Sequence, residues 1–233
     1  MSGSIRLFVP DALSVGATIA PSAAQAHYLG AVMRRGVGDD VRLFNGRDGE
    51  WRARIATIRR DKAVLEVAEQ VRQQASGTDL WLAFAPLKRD ATELVVQKAT
   101  ELGVSAILPV LTERTNTQRL NLDRLRAIAV EAAEQCERLD IPELRAPLPL
   151  PTFLGDWPAA RALFVAMERR EAAWPRGQNG PAGLLIGPEG GFSPRDHDLL
   201  LAGEKSTPVS LGPNILRAET AAIAGLALLR ARG

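Results

Sequence analysis

The sequence predicts an α/β protein in two parts: a small β-barrel with one helix over residues 1–70, and a largely parallel sheet with helices on both faces over residues 78–233. Three observations carry that reading. Before Gln70, short alternating runs are separated by turn-forming clusters; after Thr78, apolar strand patterns alternate with helical ones; between them, Gln70 to Thr78 is polar, contains Gly77 and shows no period. Residues 71–77 are accordingly read as the linker.

Ile5-Arg6-Leu7-Phe8-Val9 alternates and stops at Pro10, as a first strand would. Ser22 and Gln25, three apart after Pro21, form a capping-box pattern, and Tyr28, Leu29, Val32 and Met33 then fall on one helical face that runs out at Arg34-Arg35-Gly36. Val41–Phe44, Trp51–Ile58 and Ala63–Val67 read as three strands. Asn45-Gly46-Arg47-Asp48-Gly49 and Arg59-Arg60-Asp61-Lys62 are the turns between them. In the second part, Leu80–Ala85 reads as a strand, Asp90-Ala91-Thr92-Glu93 as a capping box opening a helix to Leu102, and Ser105–Leu111 as the next strand. A helix from about Asp123 to Leu139, a strand at Leu163–Val165, and two strand–loop–helix units complete the chain, the last helix running Glu219 to Arg230.

Composition excludes several classes. Cys136 is the only cysteine and His27 and His197 the only histidines, so no disulfide, zinc cluster or histidine-based metal site is expected. No apolar run reaches membrane-spanning length, and Met1 to Arg6 lacks the apolar core of a signal peptide, so a cytoplasmic protein is expected. Residues 1–76 carry 11 Lys+Arg against 8 Asp+Glu, and 25 of the chain's 29 cations are Arg, whose flat fork suits phosphates and stacked bases. Arg34, Arg35, Arg47, Arg59 and Arg60 collect in the turns and helix end of the first part, which favours an RNA-facing surface there.

The two C-terminal units share one design. Leu184-Leu185-Ile186-Gly187-Pro188-Glu189-Gly190-Gly191-Phe192-Ser193-Pro194 and Leu211-Gly212-Pro213-Asn214-Ile215-Leu216-Arg217-Ala218-Glu219-Thr220 each begin apolar, break at Gly-Pro and re-enter a helical pattern. Ser193 is placed to cap a helix with Pro194 in its first turn, and Gly190 and Gly191 both permit positive φ and close approach of a ligand to the main chain. No Lys follows a Gly and no G-x-G-x-x-G opens a helix, so the nucleotide-phosphate signatures are missing. Neither histidine lies in a hydrolase nucleophile motif. Glycine loops without a phosphate-binding lysine suit an adenosine-like ligand carrying no phosphates.

These two segments, with Lys88, Glu93–Gly103 and Glu113-Arg114-Thr115, resemble the 16S ribosomal RNA uracil-N3 methyltransferases of the SPOUT class. Arg6, His27-Tyr28-Leu29, Arg34 and Gly36-x-Gly-Asp39 resemble that family's PUA-like N-terminal domain. Ala133–Arg138 is also similar, except that Cys136-Glu137 stand where the family has Ser-Gly. The resemblance implies a C-terminal domain with a deep trefoil knot, S-adenosylmethionine as cofactor, a homodimer without metal or membrane, and methylation of uridine 1498 of 16S RNA in the 30S subunit. It implies a cofactor site at Met167, Ile186, Gly187, Glu189, Gly190, Leu211 and Leu216, with Arg217, Glu189 and Arg6 as the catalytic polar groups. RNA contacts are then expected at Arg6, Arg34, Arg35, Arg59 and Arg60. A SPOUT-class tRNA methyltransferase and a non-catalytic RNA-binding assembly factor are the alternatives. In the last helix, Ala221, Ala222, Ala224 and Gly225 would let a dimer partner pack closely.

Overall fold

The computed structural model describes residues 5–75, 77–116, 119–167, 180–202 and 206–231. The chain divides into two compact units, Met1–Ser76 with Ala133–Ile141, and Gly77–Ala132 with Pro142–Gly233. The segment 133–141, which the sequence placed in the C-terminal part, therefore belongs to unit 1.

Unit 1 contains β1 (Arg6–Phe8), β2 (Thr18–Ile19), α1 (Ala23–His27), a π-helical turn (Tyr28–Val32), β3 (Asp40–Phe44), β4 (Glu50–Arg59) and β5 (Lys62–Arg72). They form one sheet in the order β1-β3-β4-β5-β2, with β1 parallel to β3 and the other pairs antiparallel. Alternation turns Leu7, Val41, Leu43, Ala53, Ile55, Leu65 and Val67 into one buried cluster, with Leu29 from the π-turn added. The opposite face of β1 and β3 packs Phe8 and Phe44 against Ala133, Leu139 and Ile141. Ser22 and Gln25 make the reciprocal capping-box bonds read from the sequence. The Asn45–Gly49 turn is held by Asp48, whose carboxylate accepts from Leu13 N (2.9 Å) and Asn45 Nδ2 (2.6 Å). Gly49 sits at φ +78° against the backbone of Arg72 and Gln74.

Two expectations are corrected here, and one strand is added. β5 continues to Arg72, so the first two linker residues are strand; Ser76 lies outside the described residues. β2, only two residues long, was not read at all. The apolar stripe Tyr28-Leu29-Val32-Met33 buries Leu29 alone, because the helix widens into a π-turn there, with Met33 N donating to Tyr28 O.

Unit 2 is a parallel sheet covered on both faces. Its elements are β6 (Leu80–Phe84), α2 (Arg89–Glu101), β7 (Ala106–Leu111), α3 (Leu122–Gln135, its last turn counted in unit 1), β8 (Glu143–Leu144), β9 (Leu148–Pro149), α4 (Leu150–Asp156), β10 (Ala162–Ala166), β11 (Ala182–Ile186), α5 (Pro194–Leu201), β12 (Ser206–Val209) and α6 (Ala218–Arg230). The strand order is β12-β10-β11-β6-β7-β8, with β9 also on β7. Every residue of β11 is buried, as expected for a central parallel strand. Ala83, Val165, Leu185 and Met167 join Phe153, Trp157, Phe192 and Leu200 in one core cluster. α6 packs against α2, β6 and β11.

The capping box expected at Asp90–Glu93 is absent. Lys88 is the N-cap without a side-chain bond, and the Thr92 hydroxyl instead bonds both N and O of Leu87. Glu93 pairs with Arg89 and Arg124, which hold its carboxyl below the ordinary value. α3 stops at Gln135, and Glu137 at φ +61° turns the chain out of the helix read as reaching Leu139. Ala221, Ala222 and Gly225 are buried within their own unit, which removes the packing argument for a dimer through them.

Candidate cofactor site

β12, β10, β11 and β6 are consecutive parallel strands, so the loops that follow them emerge along one edge of the sheet. The chain leaves β6 toward β7 and β11 toward β12, in opposite directions. Ligands of open α/β sheets bind at such a switch point, outside the carboxyl ends of the strands. Met167, Ile186, Gly187, Glu189, Gly190, Leu211 and Leu216 all fall in the segments at this edge.

Met167 and Ile186 are 4% and 3% exposed. Met167 N donates to Val209 O (3.0 Å), and Ile186 O accepts from Ala85 N (2.9 Å), so these polar groups are committed to the sheet. Past Ile186, a Cβ on Gly187 would lie 3.1 Å from the Phe192 ring, so this glycine accommodates the protein's own aromatic ring. Gly191 N closes a turn onto Pro188 O (2.9 Å). Of the two glycines expected to take positive φ, Gly191 does, at +68°; Gly190 does not, and a Cβ there would meet Arg114 at an ordinary 3.7 Å. Ser193 caps α5 with Pro194 in the first turn, as read, and Asp196 completes a capping box. Glu189 is exposed, and its Oε1 accepts from Lys88 N at 3.4 Å.

The turn after β7 supports this loop through residues to which sequence reasoning gave no role. Arg114 Nη1 donates to Gly190 O (2.9 Å) and Phe192 O (3.4 Å). Thr112 and Thr115 brace the turn hydroxyl to hydroxyl at 3.0 Å. Buried Asp196 accepts from Ser193 N (3.0 Å) and Glu113 N (3.5 Å), tying the same turn to the head of α5. The Ser-x-x-Asp spacing of Ser193 and Asp196 was a legible signal for half of this; Glu113-Arg114-Thr115 stood out only by resemblance, with nothing to say that Arg114 reaches the Gly190 loop.

The second loop is more open. Ser210 Oγ accepts from Gly212 N (3.3 Å), Gly212 has φ +112°, residues 212–215 are exposed, and Leu211 and Leu216 are half-buried. Arg217 is the N-cap of α6, exposed, and among the described residues it forms no ion pair, so neither Glu189 nor Glu219 takes up its charge.

Arg6 is placed elsewhere. It is 7% exposed inside unit 1, where Nε bonds Glu50, Nη1 donates to Ala133 O (2.8 Å) and Glu134 O (3.0 Å), Nη2 donates to Arg138 O (2.8 Å), and the fork lies 4.5 Å over Phe44. A side chain so enclosed offers no face to a base or a phosphate. The other arginines assigned to RNA stand at the surface of unit 1: Arg34 exposed after the π-turn, Arg35 half-buried beside it, and Arg59 and Arg60 exposed at the β4–β5 hairpin tip.

Neither loop contains a lysine, and among the described residues no group of His, Cys, Asp or Glu could hold a metal. The donors offered are neutral main-chain groups around Glu189–Gly191 and Leu211–Leu216, which fits a phosphate-free adenosyl group. Fold and loops together define an α/β protein built to hold a small organic ligand at the carboxyl edge of its sheet. Comparison with known proteins is specific: an RNA methyltransferase domain matches residues 74–230 and an RNA methyltransferase PUA domain matches residues 22–68. The chain belongs to the RNA methyltransferase family. Ribosomal RNA small subunit methyltransferase E of Rickettsia conorii is 33% identical, covering 98% of this chain and 96% of the relative. A Legionella pneumophila protein described as a methyltransferase, solved with its bound cofactor SAM, is 32% identical with a TM-score of 0.88, covering 98% of both chains. Ribosomal RNA small subunit methyltransferase E of Neisseria gonorrhoeae, bound to S-adenosyl methionine, is 26% identical with a TM-score of 0.91, covering 98% of this chain and 97% of that one.

Proposed function

We propose that this protein methylates N3 of uridine 1498 in the 16S RNA of the small ribosomal subunit, using S-adenosylmethionine, and that it works in the cytoplasm as a homodimer with a knotted C-terminal domain. What carries the reading is the end-to-end likeness to small-subunit rRNA methyltransferases, combined with glycine loops that emerge at one edge of a parallel sheet. No helix among the described residues is long and apolar enough to cross a membrane.

Bound S-adenosylmethionine supplies an electrophilic methyl group. The chain's task is to present the uracil edge-on to it and to stabilise the charge that appears when N3 gives up its proton. Uracil N3 is normally paired, so the base is taken from an unpaired or flipped position. Arg217 is the group we assign to the negative charge on the uracil carbonyls: it is exposed, always charged and, among the described residues, not neutralised by a carboxylate. Glu189 orients its loop through Lys88 N, and Arg114 fixes the path of the same loop by holding the Gly190 and Phe192 carbonyls. Arg34, Arg35, Arg59 and Arg60 contribute phosphate contacts.

Purified protein incubated with radiolabelled S-adenosylmethionine and unmethylated 30S subunits, naked 16S RNA or tRNA tests the reading. Label mapped to N3 of a single uridine in the 30S arm is the expected result; label in the tRNA arm alone defeats it. Isothermal titration separates an enzyme from an assembly factor, since only the former binds the cofactor.

A further inference from the structure

We propose that the π-helical turn of unit 1 is a stacking platform for an unpaired nucleobase of the RNA substrate, with Tyr28 as its ring and Val32 and Met33 as its apolar border. The inference rests on reading unit 1 as RNA-binding and adds to it where, and in what state, the RNA is engaged.

Periodicity would send Tyr28, Leu29, Val32 and Met33 into the core together. The π-turn sends only Leu29 inward and leaves Tyr28 40%, Val32 59% and Met33 38% exposed, followed by Val37 at 68%. Leaving apolar side chains of this size in water forgoes the stabilisation their burial would bring. Single exposed apolar residues are ordinary, but three on one short segment make a patch. π-turns occur disproportionately at functional sites.

The surroundings say what the patch meets. A Cβ on Gly30 would lie 3.2 Å from Ile58 Cδ1, so the turn packs directly on β4, beside the hairpin tip that carries Arg59, Arg60 and Lys62. Arg34 and Arg35 stand at its other end. Arg34 and Arg60 are held at φ +52° and +53°, the left-handed region that a residue with a Cβ disfavours. Among the described residues, neither these two nor Arg59 forms an ion pair. The carboxylates close by in sequence are Asp39, engaged with Gly36 N, Asp40, paired with Arg52 and Arg54, and Asp61 in the hairpin. An apolar ring flanked by unneutralised arginines fits a polyanion that also exposes flat apolar faces. Single-stranded RNA has both; duplex RNA keeps its bases stacked and paired, and an acidic peptide has no use for the ring.

The test is fluorescence-polarisation binding of the full chain to a short single-stranded oligouridylate, and to a duplex of equal length, across a salt series. Tyr28→Ala is expected to weaken single-strand binding about tenfold with an unchanged salt slope and little change for the duplex, and Tyr28→Phe to restore it. Met33→Ser should weaken it less, and neither variant should alter thermal unfolding. Arg59→Ala with Arg60→Ala should flatten the salt slope. If these arginine changes weaken binding while Tyr28→Ala binds normally, stacking is overturned and the RNA-facing reading stands. If wild-type protein binds neither RNA, or binds both with equal sensitivity to Tyr28→Ala, the proposal also falls. A change in sedimentation of Tyr28→Ala protein alone would make the patch a protein contact and overturn it as well.

Discussion

Removing the Arg6 guanidinium leaves the buried Glu50 carboxylate without its closest cation and takes one donor each from the carbonyls of Ala133, Glu134 and Arg138. Truncating one member of a buried ion pair costs about 3–5 kcal/mol, so Arg6→Ala should lower the unfolding free energy from urea titration by that amount, and Arg6→Lys should not restore it because a lysine lacks the fork. The measurement separates a structural arginine from a catalytic one. Arg217→Ala should do the opposite: unchanged stability and RNA binding, with single-turnover methylation of 30S subunits slowed about a hundredfold or more. Near-normal turnover would remove Arg217 from the mechanism. Arg114→Ala loses two bonds at an exposed site, and about 1–1.5 kcal/mol, or roughly tenfold in S-adenosylmethionine affinity, is expected by titration. The residue types at the sheet edge were legible because Gly-Pro breaks announce loops. Gly190 and Gly191 look alike in a sequence and differ only once Gly191 closes a turn onto Pro188, and the burial of Arg6 depends on carbonyls more than a hundred residues away.

At the scale of elements, the Asn45–Gly49 turn is the most constrained piece of unit 1. A Cβ on Gly49 would sit 2.2 Å from Arg72 O and 2.8 Å from Gln74 N, backbone atoms that cannot swing aside. Gly49→Ala should cost about 2–4 kcal/mol, read by thermal unfolding. The same turn has an acid dependence. Hydrogen bonds from Leu13 N and then Asn45 hold the Asp48 carboxyl below its ordinary 3.8. Its contribution is therefore complete above that value and is lost as pH falls through the lower folded-state pKa. Asp48→Asn should flatten the acid limb of the unfolding profile and leave the neutral region's pH dependence unchanged. Strands and turns with strong local chemistry, such as β3, β4, β5 and α5 with its Ser193 cap, were readable. β2, β8 and β9 are two-residue pairings that exist only because a neighbour supplies the ladder, and α4 carries Pro151 and Gly155, which mask a helix in sequence.

For the molecule as a whole, the alternation of strands and helices after Thr78 sufficed to read a parallel sheet, whereas strand order, and hence which loops share an edge, required the fold. Sedimentation at micromolar concentration should show a dimer; a monomer would remove that part of the proposal. Unit 1 could not be delimited from sequence because Ala133–Ile141, separated from it by more than fifty residues of unit 2, completes it. A fragment ending at Ser76 would lack Ala133, Leu139 and Ile141 over Phe8 and Phe44, and should show no cooperative melt, whereas the full chain should. The same interleaving sets a timetable for biosynthesis. An N-terminal domain ordinarily folds as soon as it clears the exit tunnel, ahead of the rest of the chain. Here the nascent N-terminal sheet must wait, with Phe44 uncovered and Arg6 short of acceptors, until translation has passed Ile141. The first part to be made cannot be the first to be finished.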